Sequence, residues 1–220
     1  MNRLDWLKEK RQMAEERMDT LFAPIYDENW GTIIAPMHEQ FMKRFLGLCP
    51  PGGLILDAAC GTGKYWPMIL ASGRGIFAID QSQGMLECAL KKHPEIHIEK
   101  LGMQEMRYQE TFAGAVCMDA LEFVFPEDWS LVLNNFYQAV KPDGYFYFTV
   151  EIAAEMDIEE AFSAGLELGL PVVYGEWAHE GGYHYYPKIE QVREWVRLAQ
   201  FQGIDERIEG EYHHFLVQRG

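Results

Sequence analysis

The stretch Leu54–Trp66, LILDAACGTGKYW, opens with an apolar run, closes that run on an acid, and then places two glycines one residue apart. Short apolar runs that end in Gly or Asp read as buried strands. A glycine turn after such a strand lets ligand atoms approach the backbone. Outward from it the chain alternates: LILDAA strand, KYWPMILA helix, GIFAID strand, QGMLECALKK helix, HIEKLG strand, FAGAVCMD strand, WSLVLNNFYQAV helix and YFYFTVE strand. This alternation predicts βαβ units and an α/β fold, a doubly wound, mostly parallel sheet with helices on both faces.

The flanks extend this frame. Leu4, Leu7, Ala14, Met18 and Leu21 fall near helical spacing, as do Met37, Phe41, Met42 and Phe45, with Gly47 as a stop signal for the second helix. After Glu151 comes a less regular stretch. The helix IEQVREWVRLAQFQG and two strand-like runs, IDERIEGE and YHHFLVQR, close the chain. The expected layout is one domain over 1–220: an N-terminal helical cap (1–48), a ligand-binding core (49–151), an acidic and aromatic lid insertion (152–187) and a C-terminal helix with strands (188–220). A length of 220 residues suits a single core.

Composition narrows the function classes. The apolar share of 48% and charged share of 24% are those of a globular protein, and no run has the apolar length of a membrane span. The N-terminus lacks the h-region of a secretory signal, which predicts a cytoplasmic location. Cys49, Cys60, Cys88 and Cys117 are scattered without CxxC pairing, so they read as reduced core residues. A net charge of −15 argues against nucleic acid, whose binding is built on Lys and Arg.

A dinucleotide fingerprint needs a third small residue, and Trp66 stands there. Asp80 ends the next strand, 19 positions beyond Gly61, where a carboxylate can accept both hydroxyls of a ribose. A nucleoside without an obligatory pyrophosphate follows. In order and spacing, LDAACGTG resembles motif I of the class I S-adenosylmethionine (SAM) methyltransferases, and GIFAIDQSQGML resembles their second motif. LGMQEM, VCMDALEFV and VKPDGYFYFTVE are similar to the later motifs, so that the resemblance covers Leu54 to Glu151.

The resemblance implies a seven-stranded class I fold and SAM as cofactor, with S-adenosylhomocysteine (SAH) as product. Asp57, Ala59, Gly61 and Gly63 would surround the methionyl moiety and Asp80 would bind the ribose. Gln81, Met85, Met103 and Gln104 would flank the adenine, Asp119 would lie beside the methionyl end, and Tyr26 and Trp30 would close the site from the cap. Ala59 replaces a usual glycine, a change suited to a negative φ.

The acceptor expectation is a small molecule methylated on N or O. MDALEFV lacks the Asn/Asp-Pro-Pro-aromatic run of enzymes that methylate base or glutamine amino groups. The stretch from Glu151 to Pro187 holds Glu151, Glu155, Asp157, Glu159, Glu160, Glu167, Glu176 and Glu180, interleaved with Tyr174, Trp177, Tyr183, Tyr185 and Tyr186. It predicts a lid that attracts a cationic or amine acceptor. Candidate base or acceptor-binding residues are His184, His179 and Glu122. HEGGYH is not read as a metal site, because its histidines are five apart and two glycines break any helix. His213 and His214 alternate on the last strand, one toward the core and one toward solvent. The competing readings are a SAM or nucleoside binder without turnover and an NAD(P)-dependent oxidoreductase.

Overall fold

The computed structural model describes residues 1–178 and 182–220. The chain begins with α1 (Arg3–Arg17), a π-type turn (Met18–Phe22), α2 (Tyr26–Asn29) and α3 (Pro36–Leu48). It then alternates β1 (Leu54–Ala58), α4 (Trp66–Ala71), β2 (Gly75–Asp80), α5 (Gln83–Lys92), β3 (His97–Lys100), β4 (Phe112–Cys117), α6 (Trp129–Ala139) and β5 (Val140–Glu151). α7 (Glu155–Glu167), the short strands β6 (Glu176–Trp177) and β7 (His184–Tyr185), α8 (Ile189–Leu198), β8 (Phe201–Glu209) and β9 (Tyr212–Arg219) follow.

The main sheet has seven strands in the order β3-β2-β1-β4-β5-β9-β8. Strands β1 to β5 pair in parallel, while β9 runs antiparallel to both β5 and β8. Strand order reverses between β1 and β4, and in open α/β sheets the ligand crevice lies at the carboxyl ends of the strands at such a reversal. Alternation along β1 feeds two cores: Leu56 and Ala58 join Trp6, Phe136 and Val192 on one face, and Ile55 joins Phe41, Phe45, Trp66 and Leu86 on the other.

Several expectations need correction. α1 buries Trp6 and Leu7, while Leu4 and Leu21 are exposed; further along, Arg11 and Glu15 reach the domain through ion pairs with Asp128 and Lys100. Gly47 lies inside α3 and Cys49 caps it. His213 and His214 are both buried, because β9 is an interior strand with helices over both faces. The stretch after Glu151 contains a full helix, α7. Among the described residues no helix is long and apolar enough to cross a membrane.

Candidate functional site

The glycine turn leaves β1 at Ala58. Gly61 and Gly63 take φ of +55° and +78°, the left-handed region that glycine enters without penalty. Ala59 also takes a positive φ, +56°, so the expectation of a negative φ fails and the methyl group is carried at a cost. For an L-residue that cost is about 1–2 kcal/mol, against about 0.5–1 kcal/mol of backbone entropy that a glycine loses on folding. Ala59→Gly is therefore expected to stabilise the protein by roughly 0.5–1 kcal/mol, visible as a melting point about 1–4 °C higher. A lower melting point would show that the methyl group packs favourably.

Trp66 is fully buried at the head of α4, and its Nε1–H donates to Asp57 Oδ2 at 2.8 Å. Burial pushes the Asp57 carboxyl up to about 7; the indole bond opposes this and Asp80 adds to it. The residue in the third fingerprint position thus anchors the acid of the turn. Asp80 ties β2 to the same turn, accepting from Gly61 N on Oδ2 and from Ser82 N on Oδ1, each at 2.8 Å. Burial raises its pKa and these backbone bonds counter the rise. Gln81 is half-buried beside it, and Met85 is buried on the first turn of α5. Met103 lies at the core edge with Sδ 3.4 Å from Cys117 Sγ, and Gln104 is half-buried next to it.

The N-terminal segment lies across this turn. Thr62 Oγ1 donates to Asp27 Oδ1 at 2.6 Å, and Lys92 pairs with Asp27 at 2.8 Å. One turn earlier, Asp19 accepts from Ser82 Oγ and Gly84 N. Tyr26 stands where two groups of acids meet: burial, then Asp119, Asp27, Asp80 and Glu122, push its phenol up to about 12. Trp30 is 42% exposed and leans on Tyr26 and Phe22, so it backs Tyr26 from the outer side of the cap.

Beyond the ends of β4 and β5 a second group of acids gathers. Glu122 sits in a short turn, Leu121–Phe123, almost fully buried, and its Oε2 has no hydrogen-bond partner among the described residues. Burial and then Glu151 raise its pKa well above the carboxylate range. His184 Nδ1 lies 3.1 Å from the Tyr186 hydroxyl and 2.9 Å from Glu151 Oε2. Its ring packs edge-on against Phe123. His179 and Glu180 lie outside the described residues.

The lid differs from its expected form. Glu155, Asp157, Glu159, Glu160 and Glu167 of α7 are exposed. Glu176 is 1% exposed and accepts from both Arg3 Nη atoms, Val173 N and the Tyr183 hydroxyl. Tyr183 and Tyr185 pack into the core against Phe125 and Trp129, and Tyr174 bonds Glu155. Tyr186 lies in the field of Glu151 and Glu122, and Trp177 packs on the ring of His184 beside Glu151. Of the acids of that stretch, Glu151 at the end of β5 lies beside His184 and Glu122.

Sequence reasoning missed His38. It sits one turn before Phe41 and Met42 on the buried stripe of α3, and its Nε2 lies 2.8 Å from Asp119 Oδ1. A polar residue extending an apolar helical stripe was the available signal. Among the described residues no group of three or more His, Cys, Asp or Glu is arranged to hold a metal.

Residues 55–144 match the profile of a family described as a methyltransferase domain. The protein YqeM of Bacillus subtilis (strain 168) is 30% identical over 147 residues, 64% of this chain and 58% of that one. The malonyl-[acyl-carrier protein] O-methyltransferase of Serratia marcescens is 28% identical over 124 residues, 56% of this chain and 48% of that one. The chain thus spans about half the length of these relatives. Magnesium protoporphyrin IX methyltransferase (ChlM) from Synechocystis PCC 6803, solved with bound SAM, superposes with a TM-score of 0.68 at 12% identity, covering 96% of this chain and 97% of that one. The glycine turn and the acids Asp57 and Asp80 at adjacent strand ends fall within the stretch that matches the methyltransferase-domain profile, and the seven-stranded fold is that of solved SAM-dependent methyltransferases.

Proposed function

We propose that the chain is a cytoplasmic SAM-dependent methyltransferase acting on N or O of a small molecule, with an amine as the acceptor class. The observation that carries the reading is the bond from Gly61 N to Asp80 Oδ2, which makes the glycine turn and the ribose acid one rigid unit, with Trp66 rather than a third glycine behind it. Asp57, Ala59, Gly61 and Gly63 hold the methionyl group, Asp80 the ribose hydroxyls, and Gln81, Met85, Met103 and Gln104 the adenine. Tyr26, backed by Trp30, closes the site, and Asp119 adjoins the reacting end. An anionic crevice favours a cationic acceptor, and Asp119 and Glu151 are the carboxylates placed among tyrosine rings to supply that charge. The methyl group passes in line from sulfur to the nucleophile, so the protein's contribution is placement and exclusion of water.

Thermal denaturation with ligands tests the cofactor. At 100-fold over Kd a ligand bound only to the folded state adds about 2.7 kcal/mol, here roughly 5–10 °C. SAM and SAH are expected to give that shift and NAD none, and Asp80→Ala to abolish it. A shift with NAD alone would replace the reading with an oxidoreductase. Paired amine and carboxylate acceptors, assayed for SAH release, test the acceptor class; release with the carboxylate member alone would overturn the amine.

A further inference from the structure

His38 and Asp119 form a pair of which the cofactor reading uses Asp119 alone, as a neighbour of the methionyl end. Asp119 follows β4 with φ +52°, a conformation in which a non-glycine residue is strained unless its surroundings fix it. Thr149 and His38 do so. Asp119 N donates to Thr149 Oγ1 at 2.7 Å, Thr149 Oγ1 donates back to Asp119 Oδ1 at 3.1 Å, and His38 Nε2 meets the same oxygen at 2.8 Å.

Oδ1 is thereby filled, and among the described residues no donor is bonded to Oδ2. The Asp119 side chain is 24% exposed, whereas His38 and Thr149 behind it are buried. Around them stand rings rather than competing cations: Tyr65 is stacked on His38 and Tyr212 meets it edge-on at 5.4 Å. Lys64, the cation that feels Asp119, is drawn over the Tyr65 ring. Two buried atoms of the wall, His38 Nδ1 and the Tyr65 hydroxyl, have no hydrogen-bond partner among the described residues.

We propose that Asp119 Oδ2 binds the acceptor's ammonium and takes its proton, and that His38 is a positioning residue which occupies Oδ1 so that Oδ2 points to the acceptor. The proposal rests on the amine methyltransferase reading above. In the step, an acceptor N–H bond breaks, its proton moves to Oδ2 and the electron pair stays on nitrogen. That pair forms the new N–C bond to the SAM methyl group as the C–S bond breaks, its electrons returning to sulfur. One ammonium, one sulfonium and one carboxylate become a methylated ammonium, SAH and a carboxylic acid, so charge balances. The acid returns its proton to solvent as product leaves.

Benzylamine, one ammonium on one ring, is the probe, titrated calorimetrically into the SAH-loaded protein with benzoate as the mirror-charge control. The protein is expected to bind benzylamine and not benzoate. Asp119→Asn should weaken benzylamine at least tenfold while SAH affinity stays within threefold. His38→Phe, which keeps the ring packing and loses the N–H, should weaken it similarly; His38→Gln, whose amide can still donate to Oδ1, should restore it to within threefold. Absent binding, binding indifferent to Asp119→Asn, or SAH affinity falling as far as benzylamine affinity would overturn the proposal. Failure of the underlying reading is separate, because it appears as a wild-type protein that does not take up SAH.

Discussion

Gly63→Ala is expected to remove about 2–5 kcal/mol of folding stability and with it SAM binding. Two costs combine. The residue sits at φ +78°, where a side chain adds about 1–2 kcal/mol. A Cβ there would also lie 2.6 Å from Cδ2 of Trp66. That ring cannot retreat, since it is fully buried and its Nε1 is committed to Asp57. Overpacking of this kind costs about 1–3 kcal/mol, a large part of the 5–15 kcal/mol that holds a typical domain together. Gly61→Ala is the internal control: φ is +55° but nothing lies within 4 Å of its Cβ, so only the backbone cost applies. Urea denaturation of the two variants checks the argument. Equal losses would mean that the indole does not constrain position 63.

Glu176→Ala is the second large effect, about 2–4 kcal/mol, and it acts on the segment 152–187 that was expected to form a lid. Removing one partner of a buried ion pair typically costs about 3–5 kcal/mol, discounted here because Arg3 is partly exposed and keeps Glu127 as a partner. The Val173 N–H and the Tyr183 hydroxyl, in contrast, lose their acceptor in a buried site. The damage should be local: faster limited proteolysis between 152 and 187, with SAH affinity within threefold of wild type. Glu176→Gln, which keeps an acceptor oxygen, should show about half the loss. Unchanged proteolysis in Glu176→Ala would show that the lid is held by its aromatic packing alone.

Much of the sheet was legible because its signals are local. β1, β2 and β4 are apolar runs closed by Gly or Asp, and α5 carries an N-cap serine, Ser82, before an apolar face. α7 escaped because its stripe, Ile158, Ala161, Phe162 and Gly165, has helical spacing but little apolar bulk, and its acids dominated the reading. The same acids suggested a charged lid, since sequence cannot tell that Arg3, 173 positions away, covers Glu176. His38 and Asp119 are 81 positions apart and meet only once α3 packs over β5 and β9. The sign of φ at Ala59 belongs to the turn as folded, and no side chain announces it.

The bonds from Asp19 and Asp27 to the glycine turn and to α5 carry a kinetic consequence. Under the SAM reading, the spent cofactor leaves beneath the segment that these carboxylates pin. The Asp27–Lys92 pair is solvent-exposed and worth about 0.2–1 kcal/mol, so the part-buried bonds of Asp27 to Thr62 and of Asp19 to Ser82 and Gly84 do the holding. SAH departure would then limit steady-state turnover while a single methyl transfer runs faster, which places the clock of the enzyme in two aspartates that never touch the methyl group.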